Sequence, residues 1–112
     1  MERPAVSWSA RMAPIVFRAL KTQVVPGRRP ITYGGLASRV GTHPRPLRHV
    51  LGRIWDWCET NGHPHINVLV VSQDTGLPGI GYTPGGRVLT PRDVERLQQE
   101  AFRYDWTPFE MR

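Results

Sequence analysis

The segment running from Ile31 to Arg53, ITYGGLASRVGTHPRPLRHVLGR, constrains the fold more than any other. Leu36, Ala37 and Val40 share one helical face, and Gly41 ends that run. Thr32 stands where an N-cap hydroxyl is expected to accept a first-turn N–H. After Gly41-Thr42-His43, Pro44 and Pro46 fall where a first turn tolerates proline, and Leu47, Val50, Leu51 and Ile54 repeat at helical spacing. This second helix is predicted from Pro44 to about Cys58, ending before Asn61-Gly62. It leaves Arg45, Arg48, His49 and Arg53 off its apolar face. Two helices joined by a few-residue turn, with cations on the second, are what a helix-turn-helix needs to set one helix into a DNA groove. Double-stranded DNA is the expected partner.

Charge supports that reading only through its placement. The chain has 112 residues, enough for one domain, and a formal net charge of +6. Lys21 is its only lysine, and arginine's planar fork suits phosphate oxygens and a guanine edge. Arginine-rich codon usage would produce the same totals, so the order of residues has to decide. One cysteine, Cys58, excludes an internal disulfide and a four-cysteine zinc site. His63-Pro64-His65 has no nearby acid or thiol partner and makes a poor ligand set, so neither metal nor cofactor is expected. No run approaches the ~20 apolar residues of a membrane span, and the start of the chain lacks a secretory pattern. A cytoplasmic location without membrane contact follows as the expectation.

The other elements are expected to be short. Residues 1–12 read as a loose arm, with a first helix from Pro14 to about Gln23 and a turn over Val24 to Arg29. Ile66 to Val71 is β-branched and reads as a strand, followed by turn material from Ser72 to Gly81. Thr90-Pro91-Arg92-Asp93 is a strong helix start, and Val94, Leu97, Ala101 and Phe102 give that helix its core stripe. Residues 103–112 are expected to fold back on the body. The fold class is therefore α+β: one winged helix-turn-helix domain over 1–112, mainly helical, with a short strand pair or small sheet forming the wing.

The order of these elements resembles the DNA-binding domain of the alkylguanine-DNA alkyltransferases and the related alkyltransferase-like proteins. The likeness runs from about Val16 to Glu100. It is carried by Pro26-Gly27, Thr32-Tyr33-Gly34-Gly35-Leu36-Ala37, Pro44-Arg45-Pro46-Leu47, Val70-Val71, Gly76 to Gly81, Gly85-Gly86 and Val94 to Glu100. The resemblance implies that Tyr33 crowds a DNA phosphate while a base rotates out, and that Arg45 fills the gap. A role in sensing modified bases would need a base pocket near Tyr33, Asn67, Val68 and Tyr82. The family's Pro-Cys-His-Arg is replaced here by Ile66-Asn67-Val68-Leu69. Asn67 stands in the cysteine's place, and an amide cannot accept an alkyl group as a thiolate does. Alkyl transfer is excluded at this position. Arg48 replaces a usually small residue and Pro46 follows the expected finger, which are further departures.

The expected DNA-binding residues are Thr32, Tyr33, Arg39, Arg45, Arg48, His49 and Arg53, with Arg28 and Arg29 as weaker backbone contacts. Trp55 and Trp57, two apart, cannot share a helix face, so one is expected in the core and the other at the surface or under the tail. The expected function is a non-enzymatic DNA binder that senses modified or damaged bases or regulates transcription. Two alternatives stand beside it. One is a protein-interaction or accessory module of a repair or defence complex, docking a partner through Trp106 and Phe109. The other is a nucleic-acid-modifying enzyme using Cys58.

Overall fold

The computed structural model describes residues 7–78 and 90–111. Its chain is mainly helical, with one small parallel sheet. Helix α1 spans Trp8–Ala19, starting six residues earlier than Pro14 and so drawing part of the expected loose arm into regular structure. Ser7 makes that start possible: its hydroxyl accepts the Ala10 N–H at 3.2 Å. Pro14 therefore lies inside the helix. Leu20–Val24 continues as a wider π turn, and Val25–Gly27 closes the rod as the short helix α2. Pro26 accounts for the widening, because its ring would meet the carbonyl four residues back in a regular α-helix and it has no N–H to offer. Arg28 then turns the chain in the left-handed region, at φ 53°.

Strand β1, Ile31–Thr32, leads directly into helix α3, Tyr33–Val40. Thr32 caps it as expected, its Oγ1 accepting from Gly35 N at 3.0 Å. A side chain at Gly35 would start 3.1 Å from that Oγ1 and 3.2 Å from Ile31 Cγ1, so a substitution there would push the capping hydroxyl or Ile31 aside by a few tenths of an ångström. Gly41 ends α3 at φ 75°, and Thr42 N reaches back to Ala37 O at 2.9 Å. Helix α4 spans Pro44–Asn61 and stops at Gly62, φ 73°.

Residues 66–71 correct the expected strand. Ile66–Leu69 coils as a 3₁₀ turn, and only Val70–Val71 is extended, as β2. Ile66, Val68, Leu69 and Val70 are all buried, and so continuous a burial is met by a tight turn as well as by a strand. Strand β2 pairs parallel to β1, Ile31 opposite Val70 and Thr32 opposite Val71. Past it, Ser72 N bonds Leu77 O at 2.8 Å and Val71 bridges Pro78. Gly79 to Gly81, Tyr82 and Gly85-Gly86 lie outside the described residues. Helix α5, Pro91–Arg103, opens with a reciprocal cap between Thr90 and Asp93.

One core joins these pieces. Val16 and Phe17 of α1 and Leu20 of the π turn pack in one cluster with Leu36 and Ala37 of α3, with Leu47, Val50, Leu51, Ile54 and Cys58 of α4, and with Val94 and Ala101 of α5. Trp106, expected as a docking residue, is instead 2% exposed. Its indole N–H donates to Ala101 O at 2.8 Å and its ring meets Phe17 edge-on. A tryptophan whose only polar atom has a partner is well suited to core packing. Truncating it should therefore be severe: Trp106→Ala is expected to lower stability by about 3–5 kcal/mol in urea unfolding.

Candidate nucleic-acid interface

The buried residues of α4 recur on one side, which turns Arg45, His49, Gly52 and Asp56 directly away from the core, with Arg48 and Arg53 on the flanks. Arg45, Arg48, His49 and Arg53 are all exposed. Among the described residues, Arg45, Arg48 and His49 have no hydrogen-bond or ion-pair partner. Pro44 and Pro46 remove two first-turn N–H groups, so guanidinium groups rather than backbone supply the donors at this helix start.

Two of the expected cations are held by other parts of the molecule. Arg53 donates from Nε to Ser9 Oγ at 2.7 Å and from a terminal nitrogen to Ser7 Oγ at 2.9 Å. Arg39 donates to Gln23 Oε1 at 2.6 Å. All three acceptors are neutral, so the contacts orient the guanidinium groups without cancelling their charge. The ion pairs among the described residues, His65–Glu59 and Arg96–Glu100, are formed by other side chains. The serines at the start of α1 belong to this surface, although residues 1–12 carry no clear helical period. A serine in capping position was the available signal.

The small sheet places Thr32 and Tyr33 beside Val71 at one end. Asn67, three residues before β2, lies toward the other end because the strands are parallel. Val68 is 1% exposed, so its side chain belongs to the core rather than to an open pocket, and its carbonyl accepts from Gln98 Nε2 at 3.1 Å. Tyr82 is not among the described residues, so the four expected pocket residues are not seen assembled. Asn67 nevertheless has a distinctive feature: its Oδ1 is enclosed and has no hydrogen-bond partner. Such an atom costs about 1–3 kcal/mol unless something donates to it.

The histidine pair has a structural task. His63 lies 4.8 Å from the Trp57 ring, and His65 stacks at 4.8 Å on Trp55. Each half-buried tryptophan is thus covered by one histidine of the turn after α4, and Trp57 also meets Phe17 edge-on at 4.9 Å. His63 Nδ1 is 2.7 Å from the Tyr104 hydroxyl, and burial lowers its pKa below the ordinary histidine value. Among the described residues no group of His, Cys, Asp and Glu could hold a metal. No described helix is long and apolar enough to cross a membrane.

Cys58 is fully buried, and burial pushes its thiol up to about 11. A neutral, enclosed thiol is a weak nucleophile. Comparison with protein-family models, with curated proteins and with solved structures gives no match. The raised thiol value has a measurable consequence. The unfolded chain loses this proton near 9 whereas the folded chain keeps it to about 11. Stability should therefore fall as pH rises through that interval, with a slope of up to about 1.4 kcal/mol per pH unit from this group. Urea unfolding of the native chain and of Cys58→Ala across the same interval checks it: the variant should lack that part of the slope.

Proposed function

We propose that this chain is a non-enzymatic DNA-binding protein of the winged helix-turn-helix type, similar to the alkyltransferase-like proteins. The observation that carries the reading is the outward face of α4, where Arg45, Arg48 and His49 are exposed and unpaired among the described residues. In this reading α4 enters a groove of the duplex, with Arg45 and Arg48 nearest the bases. Thr32, Tyr33, Arg39 and Arg53 contact the backbone, and the turn from Ser72 to Pro78 begins the wing. Arg53, held by Ser7 and Ser9 beside the start of α1, adds a fixed cation next to a helix N-terminus, where phosphate binds well. The replacement of the family's cysteine by Asn67 and the enclosed thiol of Cys58 both favour binding without chemistry.

Base sensing rather than transcriptional control is favoured by the resemblance to the alkyltransferase-like proteins; Asn67 Oδ1 is enclosed and would have to be uncovered before a base could donate to it. Titrating the protein against plain duplex, alkylguanine-containing duplex and single strand at two salt concentrations separates the two. Tighter binding to the alkylguanine duplex is expected, and equal affinity for both duplexes would exclude the sensor.

Replacing Arg45 and Arg48 by Ala should weaken binding to every duplex. It should also lower the slope of log affinity against log salt by about 1.8, at roughly 0.9 per phosphate contact. An unchanged slope would remove this face from the interface. Gly52→Ala provides a second test. A methyl group at Gly52 meets nothing within 4 Å, so helix propensity predicts a gain of about 1 kcal/mol in folding stability. The same methyl group stands at the centre of the proposed contact face. Duplex affinity should therefore drop in a protein that has become more stable.

A further inference from the structure

Two arginines of the basic surface are tethered, and both tethers come from one rod. Arg53 of α4 donates to Ser9 Oγ at 2.7 Å and to Ser7 Oγ at 2.9 Å, where α1 begins. Arg39 of α3 donates to Gln23 Oε1 at 2.6 Å, in the π turn that extends α1. By helical rise, Ser9 and Gln23 stand roughly 20 Å apart along that rod. Both arginines nevertheless remain exposed.

The acceptors are neutral although an acid is close to one of them. Asp56 stands one turn beyond Arg53 on α4, where side chains three apart are neighbours. Arg53 bonds to hydroxyls instead, and the ion pairs among the described residues do not join it to Asp56. A carboxylate would hold the side chain but cancel its charge, whereas hydroxyl and amide oxygens hold it and leave the charge intact. Each guanidinium also keeps N–H groups in reserve, since Arg53 spends two and Arg39 one of those it carries.

We propose that Ser9 and Gln23 are positioning residues, holding Arg53 and Arg39 ready for the backbone phosphates of a duplex. This role rests on the DNA-binding function proposed for α4. A free arginine loses rotamer freedom when it grips a phosphate, and one already fixed by a neighbour has less to lose. The tethers therefore strengthen binding without adding charge. Ser7 supports Arg53 as well but also caps α1, so Ser9 isolates the positioning effect.

The test measures duplex affinity of the full chain against salt concentration. Arg53→Ala removes a charge and should lower the slope of log affinity against log salt by about 0.9. Ser9→Ala keeps that charge but frees it, so affinity should fall about fivefold with the slope unchanged. Once Arg53 is alanine, adding Ser9→Ala should cost nothing further, because Ser9 acts through Arg53. Gln23→Glu should lower the slope by about 0.9, since a carboxylate cancels Arg39, whereas Gln23→Ala should weaken binding at constant slope. Alanine is the best helix former, so the alanine variants should stay folded, which circular dichroism checks. Unchanged affinity in Ser9→Ala, additive losses from Ser9→Ala and Arg53→Ala, or an unchanged slope in Gln23→Glu would overturn the positioning role. Any of these together with a lowered slope in the Arg45 and Arg48 double variant removes the positioning alone. An unchanged slope in that double variant removes the DNA-binding function and this role with it.

Discussion

The apolar seam between α1 and α4 is the contact on which the rest of the molecule depends. Val16 and Phe17 of α1 share one buried cluster with Leu47, Val50, Leu51 and Ile54 of α4, and a fully buried side chain of this size contributes roughly 1.5–3 kcal/mol. Because that stripe must face inward, the arginines interleaved with it must face outward. The basic surface is therefore a consequence of core packing and needs no separate device to hold it. The same seam places the N-terminus of α1 beside Arg53, which turns two serines into supports for a cation.

Helix α4 also separates charge along its length. At 18 residues it is about 27 Å long, well beyond a Debye length of ~8 Å in physiological salt. Arg45 and Arg48 lie in its first half, and Arg53, Asp56 and Glu59 in its second. Charges at its two ends, such as Arg45 and Glu59, therefore act nearly independently, whereas Arg53 and Asp56 lie within one turn of each other. The aromatic cluster of Trp57, His63, Tyr104, Trp106 and Phe109 anchors the tail at the acidic end.

Much of this was legible beforehand, and the reasons differ from element to element. The caps at Thr32 and Thr90 and the stops at Gly41 and Gly62 were readable because capping and left-handed turns depend on a few adjacent residues. Residues 8–12 were not, since their helix relies on Ser7 and on packing against α4, while Pro14 argued for a later start. The run at 66–71 misled for a related reason. β-branched residues favour strand, but burial on every side gave most of the run to a 3₁₀ turn. The site divided likewise. The outward placement of Arg45, Arg48 and His49 followed from the spacing of apolar residues, whereas the partners of Arg39 and Arg53 come from distant segments and leave no local trace.

The order of residues alone determined a mainly helical chain, its two consecutive motif helices and which face of the second would be basic. Those features follow from periodicity and capping, which act over a few residues. Tertiary structure decided that Trp106 would be core and Phe109 would line a groove, that two histidines would cover two tryptophans, and that Asn67 would keep an acceptor without a donor. Each of these depends on segments far apart in the chain meeting in space. Such meetings are governed by the shape and packing of the whole core, which no local pattern encodes.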